Sequence, residues 1–400
     1  MITLKKRNLI ILLVIALCTG IIITAGYTQI YSIATDQIGI SAEEYEDYHR
    51  MKQDYGRLDS LVQLIEQKYY MPVDRDKLYE GIYKGLFAGI GDPYSAYLNK
   101  QEYENLMIAA SGEFEGIGVT VAPDKNGYIN VVAPIDDTPA FKAGIKSEDK
   151  IIAVDGVEYT GETIDAAVAA MRGKEGTEVT IQVLRGDTTL EFTLKRAKII
   201  LQTVKSEILE GQIGYIRISS FEKHTAEDFR KALRNMELNG VKGLIIDLRD
   251  NPGGLVDVCI EIADALLPEG IITYTEDRHG QRNYFTSDPG ATEIPFVVMI
   301  NGGSASASEI VAAAVKDSEP GKIVGTTSYG KGIIQEIVEL NNGDATKLTV
   351  MQYFSPKGNV IHEKGVEPDY IVEISRDDFT DGVLLKENDK QLQKALELLK

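Results

Sequence analysis

From Gly211 onward short β-branched runs alternate with longer helical patterns, and that alternation constrains the fold more than any other feature. "GQIGYIRI" is followed by a helical pattern over residues 226–238, "GLIIDL" by one after Gly254, "PFVVMIN" by one after Ser306, and "KIVG" closes the series. Strands joined through helices return to the same end of a sheet and so run parallel. The expectation is an α/β core, a mostly parallel sheet flanked by helices. Sheets of this kind place their sites at the C-terminal ends of the strands. Two of the loops there are rich in glycine, "RDNPGGL" (249–255) and "NGGSAS" (301–306). No fixed-period repeat or low-complexity tract competes with this reading.

The N-terminal part is organised differently. Lys5, Lys6 and Arg7 precede an uncharged run over residues 9–25, long enough at its short limit to span a bilayer, and it reads as an uncleaved anchor. No basic residue follows until Arg50, whereas Asp36, Glu43, Glu44, Glu46 and Asp47 intervene. The positive-inside rule then leaves the N-terminus in the cytoplasm and the bulk of the chain extracytoplasmic, on a single-pass anchor. A cleaved signal peptide is the competing reading, and it lacks a clean A-x-A site. A formal charge of -19 leaves no basic face to track phosphates, so no nucleic-acid partner is expected. Cys18, inside the apolar run, and Cys259 are the only cysteines, which rules out a disulfide framework; Cys259 reads as a small buried hydrophobe.

Residues 28–56 are polar and acidic, a stalk or amphipathic helix, and helical spacing continues through Leu58, Leu61, Val62 and Ile65. A second helical pattern over 77–90 ends at the breaker "GDPYSAYL". At Gly116 the period becomes that of strands, with a hairpin turn at Asn126-Gly127. Thr138, Pro139 and Gly144 spell the cap, first residue and stop of one short helix. A longer helix ends at Gly173, and a closing hairpin carries "RGD" (185–187) at its tip, where turn chemistry is a sufficient explanation. The expected divisions are 1–27 for the basic end and anchor, 28–111 for the stalk and helical region, 112–197 for a compact domain, and 198–400 for the core.

The serine run "GSASASE" admits two readings. Ser306 and Glu309 fit S-x-x-E, a capping box ahead of the buried face Ile310, Val311, Ala314 and Val315. Glycines at a helix N-terminus also supply the N–H groups that stabilise an oxyanion, so a nucleophile is the second reading. A serine nucleophile needs a base. None of His49, His224, His279 and His362 follows a core strand in a glycine-rich loop, whereas Lys331 sits between glycines with Ile333 and Ile334 just beyond it. Burial there lowers a lysine's preference for its charged form, which is what a general base requires. Gln335, four residues on, shares a face with Lys331 in an extended strand and is placed to hold the amine. Residues 325–331 also read G-x-x-x-x-G-K, but Gly332 stands where a phosphate-binding loop needs Ser or Thr, and a strand follows in place of a helix.

Taken together, "GDPYSAYL", "GIGV", "TPAFKAGI", "LRDNPGG", "GSASASEI", "YGKGIIQ", "YFSPKG", "KGVEPD" and "NDKQLQKALELL" resemble, in order over roughly residues 57–400, the carboxyl-terminal processing peptidases, or tail-specific proteases. The resemblance implies a serine endopeptidase with a crotonase-like/ClpP-like core, with Ser306 as nucleophile, Lys331 as base and Gln335 steadying it. It implies oxyanion donors at Ala307 and at Gly253 or Gly254, with no choice made between the two glycines. It also implies an inserted PDZ domain over 112–197, whose loop Gly116, Ile117, Gly118 and Val119 holds the carboxylate of a substrate tail while its edge strand takes up the chain. Arg172 either touches that carboxylate or the protease core and reports occupancy, or is a solvated arginine at a helix end. Ser147 and Glu148 depart from the family's usual glycine, a matter of the local turn.

No metal or cofactor is called for. The expected partners are extracytoplasmic proteins with free apolar C-terminal tails and the membrane itself. The apolar faces of the N-terminal region and of the helix near Leu392 serve a homodimer or core packing equally well. Two rival functions remain at this stage: a non-catalytic tail-binding scaffold, and an acyl-thioester enzyme with a similar oxyanion hole.

Overall fold

The computed structural model describes residues 5–34, 41–380 and 383–400. Two compact units divide the chain, residues 1–82 and 83–400. The first consists of helices. α1 (Lys6–Ala34) carries the uncharged run and continues past it. α2 (Ala42–Lys68) is one continuous helix, the amphipathic-helix alternative of the sequence reading over its described part. It starts at a capping box, in which Glu44 N–H donates to Ser41 Oγ and Ser41 N–H donates to Glu44 Oε2, so the polar stretch is helical from its first turn. α3 (Arg75–Ala88) crosses into the second unit.

In the second unit, α4 (Lys100–Ser111) ends at Gly112 in the left-handed region. A two-stranded ribbon, Glu113–Gly116 against Ala197–Ile200, then brackets the inserted domain. That domain is a six-stranded antiparallel sheet with two helices, α5 (Pro139–Ala143) and α6 (Ile164–Met171). α5 forms as its sequence dictates. The Thr138 side chain accepts from Phe141 N–H, Pro139 occupies the first position, and Gly144 caps at φ 84°. Ile129, Val131, Ile151, Val179, Ile181 and Val183 alternate inward from their strands to make the core of this domain.

The core sheet runs Val204–Leu209, Ile213–Ile218, Gly243–Asp247, Phe296–Ile300, Gly321–Gly325, Tyr370–Ile371. Its first pair is antiparallel and the remainder are parallel. Alternate residues divide between the two faces. Ile246, Val298 and Ile323 pack on α7 (Thr225–Leu238), α8 (Val256–Leu266) and α9 (Ala307–Ser318). Ile245, Val297, Met299 and Val324 meet Leu392 and Ala395 of α10 (Lys390–Leu398). Both faces are therefore dry, as a parallel sheet requires.

A second, antiparallel sheet has no counterpart in the sequence reading. Ala345–Phe354 pairs with Ala96–Leu98, Ile333–Glu339 and Gly270–Asp277, and the last of these pairs with Arg282–Ser287. It brings "GDPYSAYL", some 250 residues away in the chain, onto the strand that also pairs with the segment following Lys331, with Ala96 opposite Lys347.

Candidate active site

Two loops at the C-terminal ends of core strands are clipped together before any chemistry is considered. Asn251 is fully buried: its Nδ2 donates to Ile218 O at 2.9 Å, and its Oδ1 accepts from Gly253 N–H at 2.9 Å. The Asn251 carbonyl accepts both Ala305 N–H at 3.0 Å and Ser308 Oγ–H at 2.9 Å. Asp250 and Asn301 exchange a further pair of hydrogen bonds at 2.8 and 2.9 Å. The contact is close enough that a Cβ on Gly253, at φ 99°, would lie 2.8 Å from Ser306 Cβ and from Ala305 O. Glycine is thus required there by both conformation and space.

The three serines separate by their hydroxyls. Ser304 Oγ donates to Leu248 O at 2.8 Å and Ser308 Oγ to Asn251 O, and both residues are fully buried. Ser306 is half-buried and its side chain makes no capping hydrogen bond, although the S-x-x-E pair has the capping arrangement and Glu309 Oε2 accepts Ser306 N–H at 2.8 Å. Its backbone, at φ 55° and ψ -115°, lies where a residue with a side chain is strained. It caps α9 through its carbonyl, which accepts from Glu309 and Ile310 N–H.

Glu309 is the residue that sequence reasoning undervalued. Fully buried, it accepts Ser328 Oγ–H at 2.5 Å and Gly330 N–H at 2.6 Å on Oε1, and Ser306 N–H and Lys331 N–H, both at 2.8 Å, on Oε2. Four donors around a carboxylate offset the several kcal/mol that burying it would otherwise cost, of order 2–7 even for a neutral polar group. The same four bonds fix the Ser306 backbone to the Lys331 backbone. The buried Tyr353 hydroxyl repeats the link, meeting Ser306 O at 2.9 Å and Lys331 O. The S-x-x-E spacing signals only the cap; nothing local announces the link to residues 328–331.

Lys331 is half-buried, and its amine lies 4.8 Å from the centroid of the Tyr94 ring. Burial, and secondarily Lys347, push it below the ordinary lysine range, against the pull of Asp92 and Glu309. The strand begins at Ile333, so Lys331 precedes it and the shared-face argument for Gln335 does not carry over as stated. Gln335 Nε2 instead donates to Thr349 Oγ1 at 3.3 Å, beside a register shift in that strand pair, which leaves its amide oxygen as the end able to receive an amine. Among the described residues no hydrogen bond joins Lys331 Nζ to Ser306 Oγ or to Gln335. A cleft of about 620 Å³ opens here, lined by Asp92, Tyr94, Tyr329, Gly330, Thr349 and His362.

Of the candidate oxyanion donors, the Gly253 N–H is occupied by Asn251 Oδ1, whereas among the described residues the N–H groups of Gly254 and of Ala307, the first residue of α9, have no partner. In the inserted domain, Gly116, Ile117, Gly118 and Val119 line an apolar groove of about 350 Å³, and the Ile117 and Gly118 N–H groups likewise have no partner among the described residues. Arg172, the C-cap residue of α6, also lines this groove. Its Nη1 donates to Asn105 Oδ1 of α4 at 2.6 Å, and its guanidinium lies 5.9 Å from the Phe114 ring centroid. Arg185 of the "RGD" turn is locked to buried Asp149 at 2.6 and 2.7 Å. Among the described residues no cluster of three or more His, Cys, Asp or Glu is placed to hold a metal ion.

Comparison with known proteins gives three family matches: peptidase family S41 over residues 212–372, the PDZ domain over 116–195, and the N-terminal domain of the activating protease CtpB over 17–102. The chain is 38% identical to the carboxy-terminal processing protease CtpB of Bacillus subtilis, over 86% of its own length and 74% of the relative's. It is 37% identical to the carboxyl-terminal-processing protease of Synechocystis, over 84% of its length and 80% of the relative's. Among solved structures, an assigned S41 protease of Bacteroides fragilis matches in fold at a TM-score of 0.52 and 17% identity, over 84% of this chain and 96% of the other.

Proposed function

The chain belongs to the carboxy-terminal processing peptidases of family S41, serine-type proteases, and on that premise we propose a Ser306–Lys331 mechanism directed at protein tails. The observation that carries the assignment is that, among the described residues, Ser306 alone of the three serines donates its hydroxyl to no acceptor, in a backbone bonded through Glu309 to the loop of Lys331, whose amine burial pushes below the ordinary lysine range. Neutral Lys331 Nζ accepts the Ser306 hydroxyl proton as Oγ bonds to the peptide carbonyl carbon. The oxyanion is received by the N–H groups of Ala307 and Gly254, the latter in preference to Gly253 because Asn251 already occupies the Gly253 N–H. Collapse breaks the C–N bond and the leaving amine takes the proton back from Lys331. Water, deprotonated in turn by neutral Lys331, attacks the acyl carbon, the C–Oγ bond breaks, and the proton passes from Lys331 to Ser306 Oγ. Gln335 steadies the amine through its amide oxygen.

The PDZ domain, read as residues 112–197 between the helical region (28–111) and a crotonase-like core (198–400), takes an apolar C-terminal tail in the groove at Gly116–Val119. The free N–H groups of Ile117 and Gly118 are suited to its carboxylate. α1, which is long and apolar enough to cross a bilayer, supports an anchor that holds the protease outside the cytoplasm. The test is mass spectrometry of a folded protein with an apolar C-terminal tail after incubation with wild type, Ser306→Ala or Lys331→Ala. Cleavage near the tail by wild type alone is expected, with each variant down by at least about a hundredfold, the scale of a lost general base. Retained turnover in Lys331→Ala would remove lysine from the mechanism.

A further inference from the structure

The amine of Lys331 is hydrogen-bonded to neither Ser306 nor Gln335, and the ring of Tyr94 is the group it faces. Tyr94 is itself firmly placed. Its N–H donates to Asp92 Oδ1 at 3.0 Å, and the same carboxylate accepts Ser95 Oγ–H at 2.6 Å. Ser95 Oγ in turn accepts Thr349 N–H at 3.0 Å, and Thr349 Oγ1 holds Gln335. The Tyr94 phenol, raised to about 12 chiefly by its hydrogen bond with Tyr329, stays neutral, so the ring keeps a full negative face toward the amine. A turn nearly 240 residues upstream of Lys331 thus presents an aromatic face to the proposed base, along a polar chain that also ends on Gln335.

Resting on the Ser306–Lys331 reading, we propose that Tyr94 is a positioning residue: its ring is the resting seat of the Lys331 ammonium, which the amine leaves on losing its proton to serve Ser306. A ring face attracts the ammonium and not the neutral amine. Tyr94 therefore favours the stored, protonated base, and opposes the burial and the Lys347 charge that favour the neutral one. Asp92 on the same turn, Glu309 on α9, Lys347 on the adjacent strand, and Tyr329, His362 and Glu363 around the cleft complete the groups that face this position.

The sign follows directly. Removing the ring destabilises the protonated amine and lowers its pKa, so the acidic limb of the kcat/KM profile moves to lower pH. From the usual strength of such contacts the shift is about half a unit to one and a half units. The experiment uses the full chain in detergent and a fluorescence-quenched peptide ending in three apolar residues with a free carboxylate. Tyr94→Leu is expected to move the limb and Tyr94→Phe, which keeps the ring, to leave it near that of wild type. Coincident limbs for Tyr94→Leu and wild type would overturn the proposal while leaving the dyad standing; cleavage surviving in Ser306→Ala or Lys331→Ala would remove the dyad itself. Should Tyr94→Leu not fold, wild type labelled at lysine Cε provides the second reading. One ε-methylene proton signal, absent in Lys331→Ala, is expected to be shifted upfield by the ring and to titrate with the limb. The absence of any such signal would sink the proposal.

Discussion

At the residue scale one carboxylate decides whether the proposed nucleophile and base share a frame. Glu309 receives two hydrogen bonds on each oxygen, so Glu309→Gln turns an amide NH2 against two of the four donors. Losing charge-assisted bonds and creating that conflict costs about 3 kcal/mol or more of stability and activity together. Chemical unfolding and kcat on a tailed peptide check it. Ser308→Ala is the control. The Asn251 carbonyl keeps Ala305 N–H, so roughly 1 kcal/mol of stability is lost while cleavage persists, an outcome that Ser306→Ala does not share. The serine run shows where the sequence is informative and where it stops. Its glycines and its S-x-x-E spacing announce a helix start with exposed N–H groups. Choosing among Ser304, Ser306 and Ser308 needs Leu248 O and Asn251 O, acceptors more than fifty residues upstream.

At the scale of elements, local chemistry was readable and long-range pairing was not. The short helix over 139–143 could be drawn from Thr138, Pro139 and Gly144 because every determinant of its ends is within seven residues. The antiparallel sheet that carries Thr349 and Tyr353 joins residues 96, 274, 286 and 347, and no pattern of apolar residues in any one strand encodes its partners. The shared face assigned to Lys331 and Gln335 rested on one continuous strand, whereas the strand starts two residues after the lysine. Within the PDZ domain the turn residue Arg185 is structural. Arg185→Ala strands the buried Asp149 without its bidentate partner and lowers stability by about 2 kcal/mol, a value kept below that of fully buried pairs because the arginine is partly exposed. Burial raises the Asp149 carboxyl, but Arg185 and the Lys146 N–H outweigh it and hold the net value below the usual range. A depressed carboxyl contributes stability above its unfolded pKa and loses it as pH falls through the folded value. The difference between wild type and Arg185→Ala, followed by thermal unfolding, should therefore shrink below about pH 4.

For the whole molecule the separable property is location. The α1 side chains from Leu9 to Ile23 are exposed, Leu17, Ile22 and Ile23 each by about two thirds, and none of them is charged. Exposure of that composition to water is costly, since each large apolar side chain left in water forgoes about 1.5–3 kcal/mol, which supports the proposed anchor. Deleting residues 1–34 removes this surface and spares the Ser41–Glu44 capping box that starts α2. Nothing in the Ser306–Lys331–Glu309 framework lies in the deleted segment. The truncated chain should therefore stay in the supernatant after membranes are sedimented, with kcat/KM on the tailed peptide unchanged, while the full chain sediments and resists a high-salt or alkaline wash. Sedimentation that yields to salt would mean that the basic residues Lys5, Lys6 and Arg7 hold the chain to lipid headgroups, because screening weakens surface charge and leaves an apolar span untouched. Three basic residues ahead of the span predict, for the proposed anchor, that the catalytic unit lies outside the cytoplasm. Protease added outside intact cells stripped of their wall should degrade the catalytic unit, and complete protection would place that unit in the cytoplasm.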